Sequence, residues 1–276
     1  MADARPLMAG KRGLVMGVAN DHSIAWGIAR SIAGQGGEVA FTYQGDAQAK
    51  RLKPLAASIG ATIALPCDVE DDAQIDAVFA ELQKQWGSID FVVHAVAFSD
   101  RDELKGRYVN TSRDNFNHSM AISCYSFTAV AKRAMEMMPN GGALVTLTYL
   151  GANRVTPNYN VMGVAKAALE ASVRYLAADL GPDKIRVNAI SAGPMRTLAG
   201  SVIGESRSVF RWNKHHSPLR TTVSQENVGN AALYLLSDMG AGVTGEIHFV
   251  DAGFNIVSMP SSTELAAYVA ASPNDD

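Results

Sequence analysis

The 276-residue sequence predicts an α/β fold with a doubly wound sheet, and three observations carry that expectation. Short β-branched runs recur along the chain, amphipathic stretches of helical periodicity separate them, and the runs are apolar throughout instead of alternating. Strands covered on both faces, each followed by a helix, require that pattern. The runs are "GLVMG" at 13–17, "EVAFTY" at 38–43, "ATIALP" at 61–66, "IDFVVHAVA" at 89–97, "ALVTLTYL" at 143–150, "KIRVNAIS" at 184–191 and "EIHFVD" at 246–251. They predict about seven strands in a parallel sheet flanked by helices. Ser23, Asp71 and Ser224 each precede an apolar-periodic run, where a short polar side chain can cap exposed N–H groups.

No repeat, charge block or Pro/Ser-rich linker divides the chain, so residues 1–276 are expected to form one domain. Segment 195–216 mixes Leu198, Val202, Ile203, Phe210 and Trp212 with Arg207, Arg211 and Lys214, the composition of an amphipathic lid. Residues 261–276 are expected to be a surface tail.

Composition narrows the function classes. The apolar fraction is 47% and the formal charge is −3, so no general basic field attracts nucleic acid or anionic lipid. No apolar run reaches the roughly 18 residues of a membrane span, and the N-terminus is too polar for a signal peptide. The expectation is a cytoplasmic protein. Cys67 and Cys124 form no CxxC pair, and the adjacent His215 and His216 show no third ligand in sequence, so no metal is expected.

The first predicted strand runs into "GVANDHSIAWG", with Gly17, Ser23 and Gly27, and then into a helix. Such a turn aims helix N–H groups and the positive dipole end at a pyrophosphate, although the spacing is not GxGxxG. Asp68 and Val69 in "CDVED" are placed to meet an adenine edge, and "HAVAFS" to pass along a ribose and nicotinamide. After the second strand stands Gln44, where an NAD-selective fold often has an acid, and the nearest basic residues, Lys50 and Arg51, fall in the following helix. NADH is therefore favoured over NADPH.

The stretch "YLGANRVTPNYNVMGVAK" at 149–166 carries the chemistry. A helix from 158 to about 180 puts Tyr159, Gly163 and Lys166 on one face, at i, i+4 and i+7. A nearby ammonium is expected to lower the phenol pKa, the O–H to support a developing oxyanion, and Gly163 to leave room for a ligand.

Tyr149, Tyr159 and Lys166, with "GVANDHSIAWGIA" before them and "NAISAGPMRTLA" after, strongly resemble the NADH-type bacterial enoyl-[acyl-carrier-protein] reductases. These form a divergent branch of the short-chain dehydrogenase/reductase superfamily, whose ordinary members use Tyr-x3-Lys. The resemblance spans about Gly10 to Met259. It implies a Rossmann-type fold, and NADH-dependent reduction of the double bond of a trans-2-enoyl thioester in the last step of each fatty acid elongation cycle. It also implies an acyl carrier protein partner and a homotetramer. By that correspondence Tyr159 hydrogen-bonds the thioester carbonyl, Lys166 holds the nicotinamide ribose, and Tyr149 lines the same pocket. The implied cofactor positions are Gly17, Ser23, Ile24, Gln44, Asp68, Val69, Val96, Lys166, Met195, Arg196, Thr197, Leu198 and Ala199, and Ser99 joins the two tyrosines at the substrate. Ala97 and Ala252 depart from the family's usual glycines. Two other readings compete: a 3-oxoacyl or ketone reductase, disfavoured by the missing Tyr-x3-Lys, and a nucleotide-binding regulatory protein without turnover.

Overall fold

The computed structural model describes residues 6–197 and 206–271. Leu198, Ala199, Val202 and Ile203 therefore lie outside the described residues, as does the end of the expected tail. The seven strands are β1 (Arg12–Met16), β2 (Glu38–Tyr43), β3 (Ile63–Pro66), β4 (Phe91–His94), β5 (Gly142–Thr148), β6 (Ile185–Ala192) and β7 (Ile247–Val250). All pair in parallel, in the order β3-β2-β1-β4-β5-β6-β7. The order reverses between β1 and β4, so a crevice opens there at the carboxyl edge. The fourth and fifth strands end before the expected 97 and 150, because the chain leaves the sheet at this edge to line the crevice.

The apolar runs bury both strand faces. Leu14 and Met16 of β1, Val92 of β4, Leu144 of β5 and Val187 of β6 join one core, while Val15, Phe91, Val93, Val145 and Ile190 join the other. Alternating side chains thus feed two helical layers. The first core takes side chains from α3 (Asp72–Trp86), α5 (Ser126–Glu136) and α6 (Asn160–Leu180). The second takes them from α1 (Ile24–Gly34), α2 (Gly45–Ser58) and α8 (Gln225–Leu236). α4 (Arg113–Met120) continues into α5 through a π-helical turn at Ala121–Tyr125. α7 (Ser206–His216) and α9 (Ser262–Ala271) complete the described helices, so the region expected to be a tail contains a helix.

Two of the three expected caps form. The Asp71 side chain accepts from Ala73 N, and Ser224 makes a reciprocal capping box with Asn227. Ser23 does not cap α1: its Oγ turns back to accept from Ala19 N and Asn20 N at 3.0 and 3.1 Å. Gly27 serves packing, since a Cβ there would lie 2.6 Å from Gln225 Cβ on α8. Cys67 and Cys124 are buried and free, and burial pushes the Cys67 thiol up to about 11.

Candidate active site

Gly17 ends β1 with φ +93°, and a Cβ there would lie 2.0 Å from the Ala95 carbonyl oxygen. Only glycine fits both the left-handed backbone and that close approach. The first turn of α1 follows, and no side chain caps it. Trp26 N and Gly27 N donate to the Ser23 carbonyl at 3.1 and 3.3 Å, and the uncapped start of the helix, with its positive dipole end, suits a pyrophosphate. Across the edge, Gln44 Nε2 donates to Asp68 Oδ2 at 2.8 Å, tying the ends of β2 and β3 together. Ile24 packs against the second core, and Val69 and Val96 against the first.

On the other side of the crevice, β5 delivers two contacts to α6. Lys166 Nζ donates to the Leu147 carbonyl at 2.8 Å, and Thr148 Oγ1 donates to Glu170 Oε1 at 2.8 Å. Lys166 and Glu170 are one helical turn apart and only 6% and 5% exposed. Asn153 Nδ2 adds a second donor to the carboxylate, at 2.8 Å to Oε2. Burial depresses the Lys166 pKa to about 8, against the attraction of Cys124 and Glu170, and it raises that of Glu170. Glu170 was not singled out in the sequence; its sole signal was an acidic residue on a helix face otherwise buried.

Tyr159 lies at the N-cap of α6, which begins at Asn160 and not at the expected 158. Asn158 and Asn160 on either side have φ 58° and 36°, so the backbone around the phenol is not regular helix. Asparagine tolerates that left-handed region best among residues with a side chain, and "NYN" was its overlooked signal. Asn160 Nδ2 is anchored to the Glu103 and Gly106 carbonyls at 3.2 and 3.4 Å.

The Tyr159 ring meets Tyr149 edge-on, with centroids 5.1 Å apart and planes at 66°, inside a small apolar cluster with Leu104, Val161, Met162 and Phe116. The two glycines of the motif shape this contact. A Cβ at Gly151 would lie 2.4 Å from Tyr159 Cδ1, and one at Gly163 would lie 2.8 Å from the Gly151 carbonyl oxygen. Gly163 thus leaves room for the Leu150–Ala152 turn that seats the ring, instead of for a ligand.

The expected lowering of the Tyr159 pKa is reversed. Burial pushes it well above the usual phenol range, helped by Tyr149 and Glu170, and Tyr149 is raised too, by burial and then Asp251. With Lys166 satisfied at Leu147, desolvation outweighs any help from the cation.

Ser99 is buried, and its hydroxyl is engaged internally, donating to Asn115 Oδ1 and accepting from Ser119 Oγ at 3.3 and 2.9 Å. Asn115 also receives Asp100 N at 2.9 Å, while Ser123, on the π-helical turn, bonds both polar groups of the Phe98 backbone at 3.0 Å. These two residues brace the 97–100 loop and were missed: Ser123 lies on a π-turn, which leaves no periodic signal, and Asn115 on α4 meets the loop only through tertiary contact. Ala97 is exposed beside it.

Beyond β6, Thr197 N donates to the Met195 carbonyl at 2.9 Å, and the Arg196 guanidinium lies 5.1 Å from the Phe210 ring centroid on α7. Trp212, expected on the inner side of a lid, is 54% exposed and stacks on His216. Ala252 holds φ 59°, which accounts for the glycine usual at that position.

Comparison with known proteins completes the picture. The family profile described as "Enoyl-(Acyl carrier protein) reductase" matches residues 17–255. "Enoyl-[acyl-carrier-protein] reductase [NADH] 2" of Rhizobium meliloti (strain 1021) is 65% identical over 259 residues, covering 94% of this chain and 97% of its own. The crystal structure of FabI from Candidatus Liberibacter asiaticus superposes with a TM-score of 0.92 at 56% identity, covering 94% of this chain and 100% of its own. The Anaplasma phagocytophilum reductase in complex with NAD gives a TM-score of 0.90 at 58% identity, covering 94% and 98%. With this match along nearly its whole length, the chain belongs to the enoyl-(acyl carrier protein) reductase family.

Proposed function

We propose that the protein reduces the carbon–carbon double bond of trans-2-enoyl thioesters on acyl carrier protein at the expense of NADH, the last step of each fatty acid elongation cycle. The observation that carries this is the pair Tyr159 and Lys166, seven residues apart at the start of α6, with the ammonium fixed on β5 at Leu147. When bound, NADH supplies the hydride that adds to the β-carbon. Charge then collects on the thioester oxygen, two carbons farther along the conjugated chain. Tyr159 stays protonated near neutral pH because burial raises its pKa, so it serves that oxygen as a hydrogen-bond donor and not as a phenolate. Lys166 has donors left beyond the one at Leu147, and these hold the nicotinamide ribose. Tyr149 closes one side of the pocket against the Tyr159 ring. The enolate then takes a proton at the α-carbon, giving the saturated thioester.

On the cofactor side, Gly17, Ser23 and Ile24 form the turn for the pyrophosphate, and Val96 and Met195–Thr197 flank the nicotinamide end. The Asp68 carboxylate beside Gln44 opposes a 2′-phosphate, which supports NADH over NADPH. Ser99 supports the substrate side through its loop. α7 is read as the cover of the acyl chain, and its exposed Arg211 and Lys214 suit an acidic carrier protein. A cytoplasmic homotetramer is the expected form, checked by light scattering; among the described residues no helix is long and apolar enough to cross a membrane.

The purified protein is mixed with NADH or NADPH and either a 2-enoyl or a 3-oxoacyl thioester, and nicotinamide absorbance is followed. Oxidation is expected with NADH and the enoyl substrate. Turnover of the oxo substrate alone would replace this reading with a ketone reductase, and no oxidation with either would leave a binding protein.

A further inference from the structure

His215 and His216 close α7, and consecutive residues on a helix diverge by about 100°. Their rings nevertheless sit 5.0 Å apart, edge to face, and both turn to one carboxylate from α9. His215 Nε2 contacts Glu264 Oε1, and His216 Nε2 lies 3.7 Å from the same oxygen. One ligand atom from each of the three residues falls within 4.8 Å of the others. The third group that the sequence left out of view is therefore 48 positions away, on another helix.

Two of the three ligands, Glu264 and His216, are oriented by a contact behind them. Glu264 Oε2 accepts from Ser261 N and Oγ at 2.8 and 2.7 Å, which fixes the carboxylate and leaves Oε1 to the histidines. His216 Nδ1 lies 2.9 Å from the Trp212 carbonyl oxygen. A carbonyl only accepts, so Nδ1 carries a proton, and in the neutral imidazole Nε2 presents its lone pair toward Glu264. His216 is also held from above by the Trp212 ring, with centroids 3.7 Å apart. The carbonyl end of α7 favours positive charge at this point.

We propose that His215, His216 and Glu264 bind one divalent transition-metal ion of the Zn²⁺ class, through two imidazole nitrogens and one carboxylate oxygen, joining the end of α7 to α9. Two histidines and a carboxylate with a fourth position left to water form a recognised zinc donor set. Arg211, Lys214 and Arg220 border His215, and Arg220 Nη1 donates to the His215 carbonyl. Their charge weakens the site toward roughly micromolar affinity, far from that of a structural finger. The site shares no residue with the tyrosine-lysine pair, so it stands or falls independently of the reaction assigned to that pair.

The test uses full-length protein stripped with a chelator and titrated with Zn²⁺ against a chromophoric chelator. One Zn²⁺ per chain is expected, and His216→Gln and Glu264→Gln are each expected to weaken it by roughly tenfold or more. Because Trp212 stacks on a ligand, Ni²⁺ should quench its fluorescence in the parent and not in His216→Gln, which separates this site from stray surface binding. Binding weaker than roughly millimolar in the parent, or binding as strong in both variants as in the parent, overturns the proposal.

Discussion

Lys166 and Gln44 stand on opposite sides of one sheet edge, and their surroundings differ in kind. Lys166 is 6% exposed, tied to a β5 carbonyl and backed by Glu170, whereas Gln44 is exposed, with its side chain on the Asp68 carboxylate and its N–H on Gln48 Oε1. Around Lys166, the contacts join residues almost wholly buried, Lys166, Thr148 and Glu170, so pKa values are displaced and a lost partner is costly. Around Gln44, solvent replaces any partner removed. The side assigned to chemistry is thus rigid and sensitive, and the side assigned to the adenine end is tolerant. Substitutions graded across this divide test whether it is real.

The largest effect is expected from Tyr159→Phe. It removes the proposed donor to the thioester oxygen while keeping the ring that packs on Gly151 and Tyr149. Steady-state kinetics should show kcat reduced roughly 10²–10³-fold, with the KM for NADH nearly unchanged and the melting temperature preserved. An equal loss of NADH affinity would place Tyr159 on the cofactor and not on the substrate.

Lys166→Met should next raise the KM for NADH by roughly tenfold to a hundredfold, the worth of a charge-assisted contact of ~1.5–3 kcal/mol. The parent adds a test by pH. With a pKa depressed to about 8, Lys166 loses its proton above that value, so NADH affinity should fall as pH rises past 8. Stability of the ligand-free protein should move the other way. Between about 8 and the ordinary lysine value the unfolded chain still binds the proton that the native state has released, so stability rises by about 1 kcal/mol per pH unit. Denaturant titrations across that range, compared with Lys166→Met, isolate the contribution. Parallel slopes in the two proteins would show that Lys166 is not the group titrating.

Glu170 falls between the extremes. Glu170→Ala strands the buried Thr148 hydroxyl, while the exposed Asn153 amide turns to water, and should destabilise the protein by ~1–3 kcal/mol. Glu170→Gln keeps one acceptor and should recover about half of that. If both variants melt like the parent, the buried network does not hold β5 to α6.

The sheet was legible because each strand is buried on both faces, and a continuous apolar run records that directly. All seven strands lie within one or two residues of their predicted starts. The tyrosine-lysine pair was legible from spacing. What escaped depends on contacts between distant segments, or on backbone that is neither helix nor strand. Tyr159 sits on a turn bent by Asn158 and Asn160, not inside α6, and the ring is seated by Gly151. Glu170 gains its place only when α6 docks on β5, and Ser123 only through the π-turn. The direction of the Tyr159 shift was misjudged for the same reason, since burial is set by the whole fold while a neighbouring cation can be read from spacing. His215 and His216 were a pair without a third ligand until α9 brought Glu264 to them.

The smallest effect is expected on the tolerant side. Gln44→Ala removes one hydrogen bond, 2.8 Å long, between two side chains that water can reach. The loss should be below about 1 kcal/mol in stability, because solvent takes over both partners. What changes is the position of charge: the Asp68 carboxylate, no longer neutralised by an amide donor, faces the ribose end of the crevice more freely. NADH affinity should therefore shift by no more than about threefold, while NADPH, whose 2′-phosphate would meet that carboxylate in the proposed pose, should bind more weakly still. Asp68→Asn removes the charge and should narrow the gap between the two nucleotides. Fluorescence titration of both variants with both nucleotides reads the comparison directly. A Gln44→Ala protein that binds NADPH better than its parent would mean that Gln44, and not Asp68, excludes the phosphate.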